Sequence, residues 1–172
     1  MNGQTRVVIV GFMGAGKSAV ARELARLLGA TMIDLDDEIS AREGRTPQQL
    51  IDEDGERHFR AAETRALADA LEANAARVIA LGGGAWAVAA NRELVSRHRR
   101  LAVWLDAPFD LCWRRVRHSS NSRPFARDKE SARELHERRR ESYELADVRV
   151  RVAGKSVAEI AEEIACGLKV RE

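Results

Sequence analysis

Cysteine is nearly absent from this sequence of 172 residues: Cys112 and Cys166 are the only two, and their spacing fits no metal site. A disulfide framework is thereby excluded, and both thiols are expected to be buried in a reducing compartment. Long apolar runs are missing too. The opening stretch, MNGQTRVVIVGF, is too briefly apolar for a signal peptide or a membrane span, so a cytoplasmic protein with no membrane partner is expected. Neither sign of charge dominates, with 29 Lys and Arg against 27 Asp and Glu and a net charge of +2. Aromatic residues make up only 5%, too few for stacking platforms. Together these argue against a dedicated nucleic-acid binder. No internal repeat, low-complexity linker or domain boundary is visible. One domain spanning residues 1–172 is expected, and as a monomer.

What is present is a chain 45% hydrophobic, enough for a sizeable core. Apolar runs of strand length recur at Arg6–Val10, Thr31–Asp34, Val78–Leu81, Leu101–Leu105 and Val148–Val152, separated by helical patterns. This alternation predicts an α/β layer fold with a mostly parallel central sheet. Thr46-Pro47-Gln48-Gln49 reads as a helix start with cap, proline and capping-box partner. Ser131-Ala132-Arg133-Glu134 and Ser156-Val157-Ala158-Glu159 follow the same logic. In the last helix Val157, Ile160, Ile164 and Leu168 share one face and should meet the core. The polar stretch from His118 to Pro124 reads as a mobile loop. Arginines cluster at 97–100, 114–117 and 138–140. Most fit solvated helix faces, and some fit a local anion site.

The most specific stretch is GFMGAGKS, residues 11–18, placed between an apolar strand and a helix. Gly11-x-x-x-x-Gly16-Lys17-Ser18 is a phosphate-binding loop. Its glycines let backbone N–H groups turn toward a phosphate, and the helix from about Ser18 to Leu28 points its N-terminal dipole at the same anion. Lys17 is suited to reach the β- and γ-phosphates of ATP, and the Ser18 hydroxyl to bind Mg²⁺. No Asn-Lys-x-Asp stretch of a GTPase is present, and the chain is short for an ATPase motor.

A kinase also needs an acceptor site. The second strand ends in Asp34-Leu35-Asp36-Asp37. Alternation along an extended strand end predicts that Asp34 and Asp36 share one side, one carboxylate for Mg²⁺ and one for a substrate hydroxyl. Asp37 and Glu38 fit a solvated helix start. Arg60 and Glu63, at i and i+3, can pair and fix a guanidinium suited to a carboxylate. His58 reads as a surface or packed histidine. Gly82-Gly83-Gly84 follow a core strand, where backbone can approach a ligand at the sheet's carboxyl edge.

The stretches GFMGAGKS, DLDDEI, GERHFRAAE, LGGGA, SRP and ERRRESY, in this order from Gly11 to Tyr143, resemble the shikimate kinase family. That family is a small member of the nucleoside-monophosphate-kinase-like P-loop group. The resemblance implies a three-layer P-loop fold: a five-stranded parallel sheet flanked by helices, with a mobile lid at about 114–127. It implies transfer of the ATP γ-phosphate to the 3-hydroxyl of shikimate. Carried over by motif, Gly14, Ala15, Gly16, Lys17, Ser18 and Ala19 would wrap the nucleotide, and Lys17, Asp36 and Arg123 would be catalytic. Asp34 and Ser18 would organise Mg²⁺. Asp36, Arg60, Gly83 and Arg139 would hold shikimate, with Asp36 as candidate base and the two arginines on its carboxylate. Arg123, in SRP, would also close over the phosphates.

The sequence departs from the family pattern in places. Phe125-Ala126 follow the lid Arg-Pro where leucines are usual, and Glu141-Ser142 stand where a proline is usual. Arg138, Arg139 and Arg140 compete for one role, and Arg139 is selected by its spacing to Tyr143. Trp86 replaces a smaller residue and is expected to shape the acceptor pocket. Arg115 or Arg117 is a candidate second phosphate contact, and 151–155 matches the adenine-side loop by position alone. Two other readings stay open: a kinase for another small metabolite such as gluconate, and a non-catalytic nucleotide-binding module.

Overall fold

The computed structural model describes residues 5–118 and 128–171. Arg123, Pro124 and the part of the expected lid from 119 to 127 lie outside the described residues. The chain forms β1 (Val7–Val10), α1 (Lys17–Leu27), β2 (Met32–Asp34), α2 (Leu35–Glu43), α3 (Pro47–Asp54) and α4 (Glu56–Ala73). β3 (Val78–Ala80), a 3₁₀ turn at Ala85–Ala87, α5 (Ala89–Arg97), β4 (Leu101–Asp106) and α6 (Phe109–His118) follow. α7 (Lys129–Tyr143), β5 (Val148–Arg151) and α8 (Val157–Lys169) complete the order.

The five strands pair in the order β2-β3-β1-β4-β5, all parallel. Val8 of β1 sits in register with Ile79 on one side and Ala102 on the other. β1 is the central strand, and all four of its side chains are buried. That burial accounts for an unbroken VVIV run instead of an alternating one, because helices cover both faces of a parallel sheet. Right-handed crossovers put α1 on one face and α4 and α5 on the other. α8 packs on α1, with Ile160, Ile164 and Leu168 buried. Val157, in the first turn of α8, is instead exposed. From β1 the chain moves toward β2 and later crosses over to β4. The sheet therefore has its switch point at the carboxyl end of β1, where open α/β sheets bind ligands.

Two of the three expected helix starts have the anticipated caps. At Thr46 the hydroxyl accepts the Gln49 N–H at 3.2 Å, and the Gln49 side chain accepts the Thr46 N–H at 2.8 Å. Ser156 and Glu159 form the same reciprocal pair. The third start is corrected: α7 is capped by Asp128, whose carboxylate accepts the Ser131 N–H at 2.8 Å. Ser131 is already the third helical residue, and its hydroxyl donates to the same carboxylate. A charged oxygen placed at the positive end of the helix dipole outcompetes a serine three residues later.

The cysteines also divide. Cys112 is buried as expected, and burial pushes its thiol up to about 11. Cys166 is exposed, because α8 turns residues 160, 164 and 168 inward and leaves 166 on the outer face. Among the described residues no helix is long and apolar enough to cross a membrane.

Candidate active site

The phosphate-binding loop leaves β1 and closes onto α1, which begins at Lys17, one residue before the expected start. Gly14 explains why the loop cannot carry a side chain there. Its φ is +79°, and a β-carbon would lie 2.6 Å from the Cys112 carbonyl oxygen of α6. The loop is thus clamped between β1 and α6 with backbone directly against backbone. Arg115 of α6 adds to the clamp, donating to the carbonyls of Gly14 and Ala15 at 3.2 Å each. Lys17 donates from Nζ to the Phe12 carbonyl across the loop at 3.0 Å. These bonds draw loop carbonyls toward cations and, apart from the Ala15 N–H that donates to Phe12 at 3.1 Å, suit the loop's N–H groups to an anion.

The expectation that Asp34 and Asp36 share one side of an extended strand is corrected. β2 ends at Asp34, and the chain turns at once into α2. Asp34 is the cap of that helix: its Oδ1 accepts the Asp36 N–H at 3.1 Å. Its Oδ2 accepts the Ser18 hydroxyl of α1 in a short hydrogen bond. One carboxylate therefore ties the phosphate-loop helix to the start of α2. Asp36 sits in the first turn of α2 and reaches the glycine stretch after β3. The local rule that overrides strand alternation is the preference of Asp for a helix cap.

Gly82, Gly83 and Gly84 form a backbone floor on which the polar side chains converge. A β-carbon at Gly82 would lie 2.8 Å from Asp36 Oδ1 and 2.9 Å from Glu63 Oε1. At Gly83 it would lie 3.2 Å from the Met13 nitrogen of the phosphate loop and 3.5 Å from Arg139 Nη1. At Gly84 it would overlap the Arg60 guanidinium, with Cζ at 2.7 Å. Each glycine thus makes room for a different neighbour: Asp36 and Glu63, then Arg139 and the loop, then Arg60. The three glycines answer to packing at this edge of the sheet.

The electrostatics of this floor are those of a nearly dry site. Arg60 Nη1 donates to Glu63 Oε2 at 2.7 Å. Glu63 is fully buried, and burial pushes its carboxyl above the ordinary value, with Arg60 opposing and Asp36 adding to the rise. Of the three neighbouring arginines, Arg139 is buried and Arg138 exposed, while Arg140 turns toward Asp106 and Glu144. Burial lowers the Arg139 guanidinium, and the nearby Arg60 adds to that, while Tyr143 opposes it. Two guanidinium groups held this close favour an anion between them.

Several residues lie elsewhere than the sequence suggested, or carry more. Trp86 is buried, and the cavity it lines is bounded by Thr5 and Leu101, which precede β1 and open β4. Trp86 therefore lines a cavity at the amino edge, while the turn that carries it also packs against α4 and α7, the helices of Arg60 and Arg139. His58 is on the surface, 3.7 Å from Asp54. Lys155, in the stretch expected by position to lie on the adenine side, pairs with Glu163 at 2.5 Å. Residues 114–118 of the expected lid are the last turns of α6. Arg100, read as part of a solvated cluster, is buried. Tyr143, beyond its spacing to Arg139, is an additional residue of this floor. Its hydroxyl donates to the Gly83 carbonyl at 2.5 Å, and burial pushes it up to about 12. The available signal was that it is the only tyrosine in the chain.

A parallel five-stranded sheet with its phosphate loop at the central switch point, and a carboxylate-and-arginine floor beside that loop, defines a P-loop domain of the nucleoside-monophosphate-kinase type. The family model described as shikimate kinase matches residues 13–169. A shikimate kinase of Ruegeria pomeroyi is 38% identical over 170 residues, covering 96% of this chain and 86% of that protein. One from Halorhodospira halophila is 40% identical, covering 93% and 91%. The solved structure of shikimate kinase from Acinetobacter baumannii in complex with shikimate superposes with a TM-score of 0.91 at 31% identity, covering 99% of this chain and 96% of that one. The chain belongs to the shikimate kinase family.

Proposed function

We propose that this chain transfers the γ-phosphate of ATP to the 3-hydroxyl of shikimate, giving shikimate 3-phosphate and ADP. The observation that carries the reading is the floor at Gly82–Gly84. It brings Asp36, Arg60 and Arg139 within one side chain's reach of the phosphate loop at Met13. A ring bearing one carboxylate and several hydroxyls asks for this set: arginines for the carboxylate and an aspartate for a hydroxyl.

In the proposed reaction Arg60 and Arg139 hold the acceptor carboxylate, with the backbone of Gly83 lining the pocket. Glu63 fixes the Arg60 fork from behind, and Tyr143 fixes Gly83. Asp36 takes the hydroxyl on the other side of the ring. The hydroxyl oxygen attacks the γ-phosphorus, and the bond from that phosphorus to the β–γ bridging oxygen breaks. ADP leaves with the electron pair, and the hydroxyl proton passes to the Asp36 carboxylate. The N–H groups from Gly14 to Ala19 and the Lys17 ammonium surround the phosphates. Arg123 takes its role from the SRP resemblance, closing over them.

Mg²⁺ suits the donors present. Ser18 and Asp34 supply two hard oxygens side by side, and among the described residues no cluster of three metal-binding side chains competes. An ion that keeps several waters and binds phosphates needs no more than this from the protein. When bound, it would neutralise charge on the β- and γ-phosphates.

The test is ADP release from ATP and Mg²⁺ with shikimate, quinate, gluconate or no acceptor. Strong stimulation by shikimate alone is expected. Stimulation by gluconate instead would assign a different acceptor to the same floor. No stimulation, with ATP still bound, would leave a nucleotide-binding module.

A further inference from the structure

The floor just described uses the carboxyl edge of the sheet. At the opposite, amino edge lies a cavity of about 570 Å³ that the proposed reaction does not involve. Its size is that of a small-molecule site. Its walls come from parts of the chain far apart in sequence: Thr5 before β1, α5, the opening of β4, the turn before β5, and Arg171 beyond α8.

Two properties of this cavity go together. The first is charge. Among the described residues, Arg92, Arg99, Arg100 and Arg171 line it against a single carboxylate, Asp147. Asp147 is already engaged, its Oδ2 accepting the Ala102 N–H at 2.7 Å. Among the described residues no carboxylate pairs with any of the four arginines. Arg92 is anchored instead by the carbonyls of Trp86 and Ala87, at 2.7 and 3.0 Å. The second is a set of buried donors without acceptors. Arg100 is only 4% exposed, and its Nε and Nη1 have no hydrogen-bond partner. Its Nη2 alone is served, by Asn74 Oδ1 at 3.3 Å. The Trp86 indole N–H, likewise 4% exposed, is also unpartnered.

Buried donors without acceptors are rare, and a buried guanidinium without a counter-charge is rarer. Burial, with Arg6 adding to it, pushes the Arg100 guanidinium down to about 10. A solvated helix face does not account for Arg100, because the side chain is not solvated. The apolar part of the wall, Trp86, Val95, Leu101 and Leu145, gives the cavity an oily side as well.

We infer that this cavity is a second ligand site and that its ligand is a small organic anion, a carboxylate or phosphate carried on a flat apolar body. The anionic group faces the arginines and takes the unpaired N–H donors, with small rotations of the Arg100 and Trp86 side chains bringing them to it. The apolar body lies along Trp86 and Leu101. This site is independent of the acceptor floor in its residues. It adjoins that floor through Trp86, which follows Gly84 by two residues in a turn that packs against α4 and α7.

The test is titration of the whole protein with benzoate, phenyl phosphate, inorganic phosphate and benzyl alcohol, followed by ¹H–¹⁵N NMR. The indole N–H of Trp86 reports on this cavity, assigned by its loss in Trp86→Phe. The amides of Gly82–Gly84 report separately on the acceptor floor, so binding there is not mistaken for binding here. Benzoate or phenyl phosphate is expected to move the Trp86 indole signal saturably. Benzyl alcohol should bind at least tenfold more weakly. The exposed-residue variant Arg99→Ala/Arg171→Ala should weaken the anions about tenfold without changing the fold, and Arg100→Gln should weaken them further. Three results would each overturn the inference: no shift with either ring-bearing anion; benzyl alcohol binding as well as benzoate; or inorganic phosphate binding as well as phenyl phosphate, an adventitious ion only. An unchanged affinity in the double variant would do the same.

Discussion

The phenol of Tyr143 donates to the carbonyl of Gly83 at 2.5 Å, across 60 residues of sequence. This bond joins the end of α7 to the glycine floor. Tyr143 also stacks on Trp104 of β4, with ring centroids 6.0 Å apart. The end of α7, with Arg139 one turn before Tyr143, is thereby held against both the sheet and the glycine floor.

That burial has a titration signature. The ordinary tyrosine value is near 10, and in the fold Tyr143 is pushed up to about 12. The folded state holds the phenolic proton more tightly than the unfolded chain does. The contribution of this group to stability is therefore complete below about 10 and is lost as pH rises through about 12. Because Tyr143 is the only tyrosine, tyrosinate absorbance near 295 nm reads it directly. A native midpoint well above 10 is expected, and a midpoint near 10 would show that the phenol is not sealed against Gly83.

Asp36→Asn should abolish turnover while nucleotide binding persists, since Asp36 adjoins Gly82 of the glycine floor. Steady-state ADP release and ATP titration on the same preparation measure both. Loss of ATP binding in this variant would move Asp36 from the acceptor to the nucleotide side.

Arg60→Ala should raise the acceptor KM by an order of magnitude or more while the ATP KM changes little, because a lost charge-assisted bond is worth about 1.5–3 kcal/mol. Gly84→Ala should reproduce that pattern without removing any charge, since its methyl group would displace the Arg60 guanidinium. Equal acceptor KM values for Gly84→Ala and the parent chain would contradict the packing described for the floor.

Ser18→Ala should increase the Mg²⁺ concentration needed for half-maximal rate and leave the acceptor KM near its original value. The hydroxyl donates to the Asp34 carboxylate, its partner in the proposed metal set. Rate against free Mg²⁺ at saturating ATP gives the answer, and an unshifted Mg²⁺ curve would remove Ser18 from the metal set.

Much of this protein was legible from sequence because its signals are local. Gly11-x-x-x-x-Gly16-Lys17-Ser18 needs only a strand before it and a helix after it, and residues within ten positions decide both. The parallel sheet followed from alternating apolar runs, and the caps at Thr46 and Ser156 from four-residue patterns. Where two local rules meet, only one can hold. Asp34 obeyed the cap preference and not strand alternation, and Asp128 outcompeted Ser131 for the start of α7.

Only the tertiary structure decided which charged side chains lose their water. Arg138, Arg139 and Arg140 are equivalent by composition, and burial of α7 against the floor singles out Arg139. Glu63 became the buried backing of Arg60, and Arg100 and Trp86 became buried neighbours in one cavity wall. Desolvation depends on what packs over a residue from distant parts of the chain, and no short window of sequence contains that information.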